Sequence, residues 1–224
     1  MRPEVRGESG EALRQGFAIS RRTIYLLGMF KAYKLCLATA GKQVPNGPDW
    51  IHEVKHDGYR MLVIRENERV RLLSRNGTDW TKRYPWIAEA ALKNRQKRFV
   101  IDGEAVILGV DGISDFNALH SRQDDHEVQL YAFDILAMGG DDLRSLPLHM
   151  RKANLQQLLA RRPDGIRVAP FERGEIGPDL FRAACRMGLE GLVSKHRDRP
   201  YRGGRQKYWI KVKNWSHPAM EREL

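Results

Sequence analysis

The feature that most constrains this chain is an alternation of apolar and charged residues in short runs. In 98-RFVIDGEAVIL-108, Phe99, Ile101, Ala105 and Ile107 fall on one side of an extended strand, and Asp102 and Glu104 on the other. Strand-like runs recur at 50-WIHEVKH-56, 59-YRMLVIR-65, 70-VRLLSR-75, 128-VQLYAFDIL-136, 190-EGLVSKH-196 and 207-KYWIKVK-213, bounded by Gly, Asn or Asp. Asp111-Gly112 predicts a hairpin turn. Helical patterns fall between the strands. In 86-WIAEAALKN-94, Trp86, Ala90 and Leu92 or Lys93 are spaced on one turn. In 149-HMRKANLQQLLARR-162, Met150, Leu155, Leu158 and Leu159 form a stripe that Pro163 stops. Pro178 opens 179-DLFRAACRM-187 and Gly188 closes it. Strands not strictly alternated with helices predict an α+β fold with mainly antiparallel sheets.

Composition narrows the class of partner. The chain has 224 residues, 42% of them hydrophobic, enough for a sizeable core. Lysine and arginine number 39 against 28 acids, a net +11 that favours a polyanion such as nucleic acid. The two cysteines, Cys36 and Cys185, form no CxxC, and the seven histidines form no HExxH, so the sequence reads as that of a reducing compartment. The apolar run 24-IYLLGMF-30 is too short for a membrane span and lacks a cleavage pattern. Residues 1–22 are polar and unpatterned, which makes residues 1–28 a flexible N-terminal extension and Met29 a candidate start.

Charged strand faces are the chemically informative part. Read as extended chain, Glu53, Lys55 and Asp57 project together, as do Trp209, Lys211 and Lys213. One such face is ordinarily a solvated face of an antiparallel sheet. Paired acids and paired lysines converging on one cleft instead suit a nucleotide phosphate with a divalent metal.

The stretch 53-EVKHDGYR-60 resembles the first motif of the covalent nucleotidyltransferases, the superfamily of DNA ligases, RNA ligases and mRNA capping enzymes. The further motifs follow in the family's order: 74-SRNG-77, 101-IDGEAV-106, 131-YAFDIL-136, 190-EGLVSK-195 and 209-WIKVKN-214. Their wording is most similar to bacterial ATP-dependent DNA ligases, in particular the ligase module of multifunctional end-joining enzymes. The resemblance covers about Leu35 to His217. It implies an ATP-grasp-like nucleotidyltransferase domain over residues 29–217, with two sheets flanked by helices and a nucleotide cleft between them.

The resemblance makes Lys55 the nucleophile that attacks the α-phosphorus of ATP, releases pyrophosphate and retains AMP as a phosphoramidate. Bringing a lysine from about pKa 10.4 to 7 takes about 4.6 kcal/mol of differential interaction. Arg60, Lys211 and Lys213 are the cations expected to supply it. By the same resemblance, Lys211 and Lys213 grip the α-phosphate and Asp57 orients Lys55. Glu190 and Glu104 hold Mg²⁺ or Mn²⁺, and Glu104 alternatively meets the ribose. Phe133 stacks on adenine, Glu53 lies at the adenine edge, and Lys195 belongs to the nucleotide site. Arg60 and Arg75 meet the ribose or, later, a DNA 5′-phosphate.

The basic run 196-HRDRPYRGGRQKYW-209, with Arg197, Arg199, Arg202 and Arg205, reads as a mobile loop that contacts the backbone of nicked or broken double-stranded DNA. Ligases of this family continue into an OB-fold domain, whereas this sequence reads to Leu224, so residues 218–224 are expected to be a tail. The expected activity with ATP is therefore weak, with an OB domain or an end-binding protein supplied in trans. The implied setting is the bacterial cytoplasm near the nucleoid. An RNA ligase of the same fold and a non-catalytic nucleic-acid-binding relic are the alternatives.

Overall fold

The computed structural model describes residues 33–161 and 164–223. The expected extension over residues 1–28, the candidate start at Met29 and the stop at Pro163 lie outside the described residues. The chain forms β1 (Cys36–Ala40), β2 (Trp50–Val54), β3 (Tyr59–Glu66), β4 (Arg69–Ser74), α1 (Pro85–Lys93), β5 (Arg98–Val106), α2 (Phe116–Ser121) and β6 (Gln129–Met138). It continues through β7 (Asp141–Asp142), α3 (Leu148–Leu158), β8 (Ile166–Val168), β9 (Phe171–Arg173), α4 (Gly177–Arg186), β10 (Gly191–His196) and β11 (Gly204–Lys213). A 3₁₀ helix spans Pro218–Glu223.

The strands make two sheets, as the family resemblance implies, and the pairing is mainly antiparallel, as the strand pattern predicts. The first has the order β1-β11-β10-β2-β9, the second β4-β3-β5-β6-β7, with β8 paired to β6. All pairings are antiparallel except β1 with β11 and β8 with β6. The chain crosses from the first sheet to the second between β2 and β3, over residues 55–58. Lys55 therefore sits at the crossing itself.

Apolar burial holds the second sheet to its helices. Met61, Val63, Leu72, Ile101, Ile135, Ile87 and Leu155 form one buried cluster, and each large aliphatic so buried contributes about 1.5–3 kcal/mol. The helical stripes differ from the sequence pattern. In α1 the buried residues are Ile87, Ala90 and Ala91, while Leu92 is exposed. In α3, Leu155 and Leu158 are buried but Met150 is exposed, and Arg151 and Lys152 take the inner positions. The inversion has an electrostatic cause. Arg151 donates to both oxygens of Asp134 at 2.8 and 2.9 Å, and Lys152 lies 2.5 Å from Glu53. Burial of a charge is tolerated when its partner is buried with it. The predicted 179–187 helix is present, and Gly188 closes it with φ +73°. The Asp111-Gly112 turn makes only an isolated bridge between Leu108 and Ser114.

Candidate active site

Backbone pairing fixes the nucleophile candidate. The Lys55 N–H donates to the Gly191 carbonyl at 2.9 Å, where β10 begins. Glu190 immediately precedes that residue, and Lys55 Nζ donates to its Oε1 at 2.5 Å. Two glycines make the approach possible. A Cβ on Gly58 would collide with the Ala105 carbonyl of β5, and one on Gly191, at φ +139°, with the Val212 carbonyl of β11.

A cleft of about 210 Å³ opens beside Lys55. Glu53, Arg60, Arg75, Glu104, Phe133, Lys195, Arg205 and Lys211, all singled out from the sequence, line it. They come from seven stretches: β2, β3, the turn after β4, β5, β6, β10 and β11, the last supplying both Arg205 and Lys211. His56 and Trp209 also line it. Lys213 lies further along β11, opposite Gly191, and does not line the cleft.

Three arrangements differ from the sequence expectation. Asp57 does not project with Glu53 and Lys55, because β2 ends at Val54 and the extended geometry with it. Its carboxylate instead pairs with Arg222 of the 3₁₀ helix, beside a separate pocket lined by Ser114, Phe116 and His217. Arg222, in the segment expected to be a tail, is held by this ion pair and also lies 3.9 Å from the centroid of Phe116. Second, the charged group at the Lys55 amine is a carboxylate, Glu190, and Arg60 is committed to Asp102 through Nε at 2.5 Å and Nη2 at 2.7 Å. The surrounding cations do not stand alone against the ammonium. Third, the basic run is pinned. β11 already begins at Gly204, and the Arg197 N–H, the Tyr201 N–H and the Arg199 carbonyl bond to Asp49, Arg144 and Arg151 respectively. Arg199, Arg202 and Arg205 remain exposed, and Arg197 is partly so.

The cleft carries an unusual amount of buried charge. Glu53 bridges Lys152 at 2.5 Å and Lys195 at 2.6 Å. Burial works to raise its pKa, but the two lysines outweigh it and hold the carboxyl below the usual range. Lys195 is pulled down to about 8 by burial, against the attraction of Glu53. Its ammonium lies 4.1 Å from the Phe133 centroid and 4.2 Å from Trp209. Glu104 is pushed up to about 7, chiefly by burial. His56, tilted against Tyr131 at 4.6 Å, is lowered to about 4 by burial and is neutral at pH 7.

Among the described residues, no group of three or more His, Cys, Asp or Glu side chains converges on a metal position. The donor set nevertheless suits magnesium, which takes one or two carboxylates and completes its shell with water and phosphate oxygens. Glu190, held at the cleft through Lys55, has its Oε2 buried and accepting no hydrogen bond among the described residues, and Glu104 lines the cleft itself.

Sequence reasoning missed several contributors. Lys152 carries no local signal, because a lysine on an amphipathic helix ordinarily faces water. Asp102 and Tyr201 stand in recognised segments, but the bonds from Arg60 to Asp102 and from Tyr201 to Asp102 join residues far apart in the chain. His56 sits between two motif residues, and no residue pattern marks it as part of the cleft.

The two-sheet fold, with a lysine at the crossing and an acid-and-cation cleft beside it, defines a nucleotidyltransferase domain. The family model for the ATP dependent DNA ligase domain matches residues 32–213, and the chain belongs to that family. It is 37% identical over 180 residues to the multifunctional non-homologous end joining protein LigD of Pseudomonas aeruginosa, a match over 79% of this chain and 21% of that protein. The chain thus spans about a fifth of the length of the first curated relatives it matches. Among solved structures, a mycobacterial DNA ligase D complexed with ATP and MES superposes with a TM-score of 0.73 at 33% identity, covering 84% of this chain and 62% of that one. The ligase domain of M. tuberculosis LigD gives 0.72 at 33% identity over 82% and 61%. The resemblance to bacterial end-joining ligases read from the motifs is borne out. No helix among the described residues is long and apolar enough to cross a membrane.

Proposed function

We propose that this domain transfers adenylate from ATP to Lys55 and then to the 5′-phosphate of a nick in DNA, which the adjoining 3′-hydroxyl seals. The observation that carries the reading is the placement of Lys55 at the sheet crossing, 2.5 Å from Glu190, in a cleft lined by Arg60, Glu104, Phe133, Lys195 and Lys211. The Lys55 ammonium first gives a proton to the group it already bonds, Glu190 Oε1. The free amine then forms the N–P bond as the bond between the α-phosphorus and the bridging oxygen breaks, and pyrophosphate leaves with that electron pair. Lys211 and Arg205 lie where developing phosphate charge needs cations. Phe133 and Trp209 wall the base site, and Glu53 and Lys195 offer one acceptor and one donor group to a purine edge. Glu104 and the second oxygen of Glu190, Oε2, would hold a divalent cation, which would supply charge to the phosphate oxygens.

Asp57 acts from the far side of the 55–58 crossing, through the position of that segment. The exposed Arg197, Arg199 and Arg202 meet the DNA backbone, and the chain's +11 charge supports a polyanionic substrate. The bacterial end-joining relatives support a reading of this domain as acting in the bacterial cytoplasm, near DNA.

The test supplies α-labelled ATP with Mg²⁺, then a nicked duplex. Label should appear on the protein, move to the 5′-phosphate and be released as AMP when the nick closes, and a nicked RNA duplex should compete poorly. Binding of nicked DNA with no protein label, together with a preadenylated nick that stays open, would establish the non-catalytic alternative.

A further inference from the structure

We propose that Tyr201 is a positioning residue. Its hydroxyl holds Arg60 in the cleft through Asp102 and ties that arginine to the β10–β11 connection that carries Arg197, Arg199 and Arg202. The inference rests on the adenylation reading only for its kinetic consequence.

Four groups close a ring of hydrogen bonds. Arg60 Nε donates to Asp102 Oδ1 at 2.5 Å, and Arg60 Nη2 to Asp102 Oδ2 at 2.7 Å. The Tyr201 hydroxyl donates to the same Oδ2 at 2.6 Å. It accepts in turn from the Cys36 N–H at 3.0 Å, while Arg60 Nη2 reaches the Cys36 carbonyl at 3.2 Å. Asp102 has no exposure and Tyr201 is 4% exposed, so two of the four members are closed to solvent. The hydroxyl is the one side-chain group in the ring that both donates and accepts. A phenylalanine would leave the Cys36 N–H without an acceptor and Asp102 with one donor fewer.

The ring joins the two sides of the domain. Cys36 begins β1, whose Leu37 and Ala38 line the cleft. Arg60 lines it too, with its guanidinium 4.4 Å from the Phe133 centroid. A bidentate carboxylate fixes the plane of a guanidinium as well as its position. On the other side, Tyr201 belongs to the basic connection, and its neighbours are anchored: its own N–H donates to Arg144, and Arg151 holds the Arg199 carbonyl at 3.1 Å. The ring of Tyr201 meets Trp209 edge-on at 5.9 Å, a contact that phenylalanine preserves. Tyr201→Phe therefore separates the hydroxyl from the packing.

The experiment has a structural and a kinetic arm. In the unmodified chain, NMR should show a slowly exchanging Tyr201 hydroxyl proton close to the Arg60 Nε–H, the latter assigned by its loss in Arg60→Lys. In Tyr201→Phe the Arg60 Nε–H should exchange about tenfold faster or more. Lysine adenylation should lose about tenfold in kcat with KM for ATP within about twofold, and Tyr201→Phe should cost nothing further in an Arg60→Lys background. A residue that merely fills space would leave Arg60 exchange at the parental rate, or would add its full kinetic loss in that background. Either result overturns the inference, as does absence of the hydroxyl proton in the parent. If the parent forms no lysine-bound AMP, the adenylation reading falls, and the exchange arm still decides the role of Tyr201.

Discussion

On β3 and β5, Val63 and Ile101 face a cluster of apolar side chains, whereas a fully buried Asp102 meets Arg60 at the wall of the cleft. The same strands thus bury two kinds of matter. On the core face, area removed from water stabilises at roughly 25 cal/mol per Å² whatever the geometry in detail. On the cleft face, desolvating a charge costs several kcal/mol, and only a close partner offsets it. Glu53 with Lys152 and Lys195, Arg60 with Asp102, and Arg151 with Asp134 are such partnerships. The core face resists unfolding. The cleft face adds little net stability and instead holds charge at fixed places before any substrate arrives, which is what electrostatic catalysis requires.

The comparison breaks if a core substitution disables chemistry directly. Ile101→Ala should cost about 2–5 kcal/mol in urea unfolding, since the residue has no exposure. Its adenylation rate per folded molecule should stay within about threefold of the parent; a far larger kinetic loss would mean that the faces are not separable.

Glu104 sharpens the contrast. Its pKa stands at about 7, above the ordinary 4.5. A raised carboxyl favours folding while protonated, so its contribution is fully present below the ordinary value and is lost as pH rises through about 7. Glu104→Gln should therefore gain stability over the parent between pH 4 and pH 8, by on the order of 3 kcal/mol. Unfolding curves at the two pH values would show it, and a constant difference would contradict it. The same variant should adenylate poorly at pH 8, where the parental carboxylate is ionised.

The smallest expected effect lies outside both faces. Arg199→Ala with Arg202→Ala removes two exposed cations, so the slope of log affinity for nicked DNA against log salt should flatten by about 2. Core stability should not change. An unaltered slope would place DNA elsewhere.

Much of this was legible in the residues because the strands alternate. The 98–108 pattern assigned Ile101 to the core and Glu104 to the cleft, and both are there. Legibility ended where local pattern did. β1, written CLATA, has no alternation to announce it and exists by pairing with β11 across the chain. Asp57 departed from its expected face because the extended geometry stops at Val54. Lys152 looked like a solvated helix residue, and only a buried acid on β2 explains its place. The acidic partner of Lys55 was known as a residue, Glu190, but expected on a metal rather than on the amine.

The most direct test of the account is to locate the adenylate. The purified chain, incubated with ATP and Mg²⁺ and digested, should yield one AMP-bearing peptide, the one containing Lys55. The adduct should be lost in acid, stable in alkali, and missing from Lys55→Arg. An adduct on any other residue, or the same yield of adduct from Lys55→Arg, would contradict the assignment of Lys55 as the nucleophile.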